Sequence, residues 1–157
     1  MQKITPCLWF DTEGEEAAKL YTSVFPKSKI LDVSRYGEAG PRPEGTVMVV
    51  SFELDGQKFT ALNGGQDFTF NEAISFQASC ETQEEVDAYW SKLSEGGEEG
   101  PCGWLKDRFG LSWQIVPTVL PELLGDPDRE KSQRVMQAML RMQKIEIDAL
   151  ERAAAEA

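Results

Sequence analysis

One order of elements runs through this chain twice. Residues 4–10 form a short apolar run that ends at Asp11-Thr12, a helix start with Glu13, Glu15 and Glu16 in the first turn. Ala17, Leu20, Tyr21 and Val24 then recur at helical spacing until Pro26 stops the segment. A strand over residues 28–36 and a Gly/Pro-rich loop over 37–45 follow. Residues 46–54 and 57–62 flank Asp55-Gly56 and predict a hairpin with a two-residue turn. The pattern resumes with a strand over residues 73–80. A helix opens at Glu81-Thr82 and reaches Leu93, with Val86, Tyr89, Trp90 and Leu93 on its inner side. Glu15-Glu16 and Leu20-Tyr21 match Glu84-Glu85 and Tyr89-Trp90 at a constant offset of 69. Two short strands, over residues 102–106 and 111–116, close the second copy around a turn through Asp107 and Gly110.

Residues 121–157 have no counterpart in the repeat. One helical turn at 121–125, a helix over 128–142 and an alanine-rich helix over 146–155 are expected there. Val135, Met136, Met139, Leu140 and Met142 gather on one side, a stripe suited to core packing or a subunit contact. The organisation read from sequence is a paired domain over 1–120 followed by a helical extension over 121–157.

What the chain lacks limits its chemistry. Among 157 residues there is no histidine, which excludes Ser-His-Asp and Cys-His catalysis and His-Glu metalloprotease sites. The formal charge is -11, and 19 of the acids against 10 of the bases fall within residues 1–120, so the main body itself is acidic. Nucleic acid is not an expected partner of such a surface. No apolar stretch approaches the ~20 residues of a membrane helix, and the first residues lack a signal-peptide pattern, so a cytoplasmic, membrane-free protein is expected. Cys7, Cys80 and Cys102, odd in number and without CxxC spacing, fit free thiols in a reducing compartment.

Candidate chemistry is sparse. Glu15-Glu16, Glu84-Glu85 and Glu98-Glu99 read as solvated surface, the last pair in a Gly-rich loop. Asn63-Gly64-Gly65 ends a strand with no helix signal after it, unlike a phosphate-binding loop. Cys7 and Cys102 have no imidazole to make a thiolate pair. Trp9, Phe10, Trp104 and Trp113 lie on strands of both copies. They suit ordinary cores, and on a curved sheet they could also line an apolar cavity with Gln77, Ser112 or Gln114 as its polar groups.

The opening Ile-Thr-Pro-Cys-Leu-Trp-Phe-Asp, the Glu-Glu-Ala-Ala-Lys-Leu-Tyr-Thr-Ser-Val-Phe-Pro helix, Leu62-Asn63-Gly64-Gly65, and residues 107–115, Asp-Arg-Phe-Gly-Leu-Ser-Trp-Gln-Ile, strongly resemble the PhnB-like branch of the vicinal oxygen chelate superfamily. This superfamily includes glyoxalases, bleomycin-resistance proteins and extradiol dioxygenases. The resemblance covers nearly the whole chain. It implies an α+β fold of two tandem βαβββ modules, curved mixed sheets around a cavity, with helices added at the carboxy-terminal end. It also implies a homodimer, in which the Val135, Met139, Met142 face would take part. The superfamily's metal ligands, typically His, Glu or Gln, would correspond to positions near Pro6 or Cys7, near Asn63, near Ile74 or Ser75, and at Gln114.

None of those positions carries His or a carboxylate, so neither metal nor cofactor is expected. The cavity residues expected on this basis are Cys7, Trp9, Asn63, Ser75, Gln77, Trp104, Trp113 and Gln114. Three functions follow: metal-free binding of a small apolar or aromatic molecule, a glyoxalase- or dioxygenase-like enzyme with unusual metal ligands, and methyl transfer. The last comes from the demethylubiquinone methyltransferase designation that members of this branch often carry. It is disfavoured because no strand, Gly-rich turn and helix suited to S-adenosylmethionine is present.

Overall fold

The Asp55-Gly56 turn sets the first sheet. Asp55 (φ 48°) and Gly56 (φ 83°) both adopt left-handed backbone, the geometry of the two-residue turn whose twist matches its flanking strands. A computed structural model describes residues 2–156 and divides the chain into two compact units, one up to Phe70 and one from Asn71 onward.

The first unit runs β1 (Cys7–Phe10), α1 (Gly14–Val24), β2 (Lys29–Arg35), β3 (Val47–Leu54) and β4 (Gln57–Asn63). Its sheet has the order β1-β4-β3-β2, with β1 parallel to β4 and the other pairs antiparallel. Successive strand residues face opposite sides, and the buried set Leu8, Phe10, Val50, Phe52, Phe59 and Ala61 covers one of them. Against it packs the inner face of α1, where Ala17, Ala18 and Tyr21 are fully buried and the Tyr21 ring lies 6.2 Å from that of Phe52. Burial on this scale contributes roughly 1.5–3 kcal/mol per large side chain. Asp11-Thr12 does not cap the helix. Glu13 holds the cap position without a side-chain bond, and the Gly14 N–H is instead taken by Asn63 Oδ1 at 2.8 Å.

The second unit repeats the topology: β5 (Ser75–Cys80), α2 (Gln83–Ser94), β6 (Glu98–Glu99), β7 (Trp104–Lys106) and β8 (Ser112–Pro117), in the order β5-β8-β7-β6. Again the outer strands by sequence, β5 and β8, are parallel. The expected two-module α+β architecture is therefore present. Glu98-Glu99, expected in a loop, forms the edge strand β6, and its pairing with Leu105 and Lys106 overrides two residues of poor strand propensity. Here the helix is capped locally: Thr82 accepts from Glu85 N–H, and Glu85 in turn accepts from Glu81 N–H.

Helices α3 (Val119–Leu124), α4 (Arg129–Met139) and α5 (Ile147–Ala155) belong to this second unit. The boundary between the two compact units lies at Phe70/Asn71. Leu120, Val135, Ile145 and Leu150 form a buried cluster, and Val116 of β8 packs on it together with Met139 and Met142. Main-chain bonds from the N–H groups of Cys102 and Gly103 to the carbonyls of Met142 and Gln143, and a side-chain bond from Gln83 Nε2 to the Ile145 carbonyl, stitch the segment to the module. Val135 of the stripe is fully buried in this cluster, Met139 and Met142 are partly buried against it, and Leu140 is 61% exposed. Helix α4 stops at Met139, earlier than expected, because Arg141 and Met142 bond three residues back in a tightened turn. Among the described residues no helix is long and apolar enough to cross a membrane.

Candidate functional site

Strand alternation decides which candidate residues can meet a ligand. In the second sheet the buried row Leu105, Trp113, Ile115 faces α2, as do Ala78 and Cys80 of β5. The opposite face carries two cross-strand rows fixed by register. One runs Glu98, Lys106, Ser112, Ser75, and the next runs Trp104, Gln114, Gln77. These two rows are polar except for the Trp104 indole. Gln114 Nε2 donates to Ser75 Oγ at 2.9 Å and Gln77 Nε2 reaches Gln114 Oε1 at 3.5 Å.

A pocket of about 440 Å³ lies in this unit. Its walls are Glu72, Glu98, Glu99, Gly100, Pro101, Trp104, Leu105, Lys106 and Ser112. Lys106 Nζ forms an ion pair with Glu72. That hydrogen bond holds the Glu72 carboxyl below its ordinary pKa and the Lys106 ammonium above its own. Trp90 Nε1 donates to Glu99 Oε1 at 2.5 Å, which orients that carboxylate. Ser112 differs from the other polar groups. It is 1% exposed, and its hydroxyl is the buried side-chain polar atom with no hydrogen-bond partner among the described residues. A buried hydroxyl left unmatched costs about 1–3 kcal/mol, so it stands ready to bond a group that enters the pocket.

The expected cavity set separates accordingly. Ser75, Gln77, Trp104 and Gln114 share the open face of the second sheet, and Trp104 lines the pocket. Trp113 does not: its register partner is Leu105, it turns toward α2, and its Nε1 donates to the buried Asp107 carboxylate at 2.9 Å. Asn63 is likewise withdrawn. Being 4% exposed, it accepts from Gly14 N–H and donates to the carbonyls of Thr12 and Val47, each at 3.2 Å. A Cβ on Gly14 would come within 2.7 Å of the Asn63 Oδ1, so the glycine is what lets the carboxamide reach the helix.

Cys7 and Trp9 occupy the face of the first sheet away from α1, whereas Phe10 is buried against the helix. Trp9 Nε1 donates to the Gly65 carbonyl at 2.9 Å, and the Phe68 ring meets the indole edge-on at 4.8 Å. The loop that follows β4 thus already engages this tryptophan. Cys7 is exposed and Cys102 half-buried. Cys80 is fully buried, and burial, helped by the nearby Glu85 charge, pushes its thiol up to about 12, too high to supply a thiolate nucleophile. Glu72 and Lys106 were not singled out by sequence, and Glu98-Glu99 reads there as solvated surface, since only the cross-strand register brings Glu98 and Lys106 beside Ser112.

The fold family implies a divalent metal on the first and last strands of each module, and the side chains there do not fit one. The Asn63 carboxamide is committed to backbone groups, Gln114 donates to Ser75, and Ile74 is an exposed hydrocarbon. No group of three or more Cys, Asp or Glu suited to an ion occurs among the described residues.

Two modules of one βαβββ order, each a four-stranded mixed sheet backed by a helix, define the glyoxalase/bleomycin-resistance fold of the vicinal oxygen chelate superfamily. Within it the chain belongs to the PhnB-like family described as 3-demethylubiquinone-9 3-methyltransferase, whose model matches residues 2–116. A putative 3-demethylubiquinone-9 3-methyltransferase, PhnB protein, from Bacillus cereus is 40% identical, with 74% of this chain and 100% of that one covered and a TM-score of 0.68. Protein PA1353 from Pseudomonas aeruginosa is 18% identical over 74% of this chain and 98% of that one, TM-score 0.63. The fosfomycin resistance protein FosX from Listeria monocytogenes is 15% identical over 80% and 98%, TM-score 0.58. At such identities the last two speak to fold alone. No curated protein matches the chain.

Proposed function

We propose that this chain binds a small aromatic molecule, without a metal, in the pocket of its second module. The observation that carries the reading is the pocket itself: about 440 Å³, walled by Trp104 and Pro101, with an unpartnered serine hydroxyl at its side. That volume lies within the roughly 300–1,000 Å³ usual for small-molecule sites, and a mainly apolar wall with a few fixed polar groups is their usual chemistry. The Trp104 indole offers a face for a ring, and Ser112 offers one directional bond.

Calorimetric titration with aromatic fragments of positive, neutral and negative charge tests the reading. Saturable binding of at least one, lost in Trp104→Ala and kept in Glu84→Gln on the exposed side of α2, is the expected result. Failure of every fragment to bind would overturn it. Methyl transfer, suggested by the family's description, requires S-adenosylmethionine to bind. No saturable heat with that compound is expected, because the glycines after β4 lead into no helix that could receive it. A homodimer in the cytoplasm completes the proposal, supported by the fold family and by three free cysteines. Light scattering tests the oligomer, and a monomer would contradict that part.

A further inference from the structure

We propose that the molecule bound in this pocket is an aromatic ammonium compound with a hydroxyl or similar polar group on its ring, recognised by Trp104, Ser112 and Glu98. The inference rests on the pocket reading above and adds the ligand's charge and its polar contact. Of the acidic residues in the lining, Glu98 shares the open face with Lys106 and Glu72 reaches the same ammonium, while Glu99, opposite Leu105, turns its carboxylate to Trp90 of α2. Lys106 is paired with Glu72 and also stands beside Glu98, its cross-strand partner, so this face keeps two carboxylates against one ammonium and a net negative charge. Lys144 lies outside the lining and is held by Asp87 at 2.8 Å.

A cation with a ring suits this wall twice, since its charge meets carboxylates and a nearby indole face is attractive to positive charge. An anion would have to lie against Glu72 and Glu98. The independent observation is Ser112. Its hydroxyl is buried, lines the pocket and lacks a partner, so a polar atom on the ligand is needed to satisfy it. The acidity of the chain as a whole, -11, favours the approach of a cation in the same sense.

Three probes of one shape separate the possibilities: tyramine, the neutral tyrosol and the anion 4-hydroxyphenylacetate, titrated into the full chain at low and high salt. Tyramine is expected to bind at least about tenfold more tightly than 4-hydroxyphenylacetate at low salt, with tyrosol between them and the spread narrowing as salt screens the exposed carboxylates. Glu98→Gln should cut the tyramine preference severalfold while leaving tyrosol unchanged. Ser112→Ala should erase the advantage of tyramine over phenethylamine, which lacks the hydroxyl. Circular dichroism of each variant confirms folding. Equal or tighter binding of the anion would overturn the charge assignment and leave the pocket reading standing. An undiminished tyramine advantage in Ser112→Ala would overturn the serine contact. Absence of binding by all three probes would overturn both the inference and the reading beneath it.

Discussion

The two modules share an order of strands but not the way their buried polar groups are used. In the first, Asn63 at the end of β4 joins Gly14, Thr12 and Val47, segments far from it in sequence. In the second, Asp107 accepts from the N–H groups of Phe109 and Leu111 and from Trp113 Nε1, all within its own turn. The helices differ in the same sense, α1 being fixed from across its module and α2 by the local Thr82 cap. A single βαβββ plan thus tolerates either remote or local closure. The open sheet face of the locally closed module holds a pocket.

Asn63→Ala should break the remote arrangement most severely. It leaves a buried N–H and two carbonyls unmatched, and thermal or urea unfolding should register a loss of about 3 kcal/mol. A loss below about 1 kcal/mol would mean that the first module does not depend on this contact. Met139→Glu comes next, at about 2 kcal/mol, because the charge would enter the cluster of Val135, Ile145 and Leu150. Unchanged stability with a weakened oligomer would instead place Met139 at a subunit contact. Thr82→Ala removes the local cap and should cost about 1 kcal/mol, the smaller price of local closure.

The smallest effect concerns pH. Hydrogen bonds from Lys144 and then Gln83 lower the Asp87 pKa, so the pairing stabilises the fold above the ordinary aspartate range and is lost as pH falls through the lowered value. Unfolding midpoints of Asp87→Asn should therefore fall slightly at neutral pH and converge with the parent in acid. A constant gap across that range would argue against the assignment.

Much of this fold was legible because its signals are local. Asp55-Gly56 between alternating strands, Pro26 after an amphipathic run and Thr82 before another each specify their structure within a few residues. The repeat offset then fixed the order of elements. The site was less legible, since side-chain direction depends on pairing register. Adjacent Trp9 and Phe10 cannot share a face, which alternation alone reveals. That Trp113 pairs with Leu105 and not Trp104, and so leaves the open face, is a cross-strand fact with no local signature. Glu98-Glu99 reads as solvated loop for the same reason, because its strand exists only through β7. The carboxy-terminal helices carried a plain amphipathic pattern, but nothing in it named Val116 and Gly103 as the groups they would pack and bond to.

The most direct test of the central claim is backbone amide NMR of the full chain titrated with tyramine. Progressive, saturable shifts are predicted at residues 98–106 and at Ser112, with residues of the first module largely unmoved. Shifts confined to the first module, or none at saturating probe, would contradict the placement of the binding site.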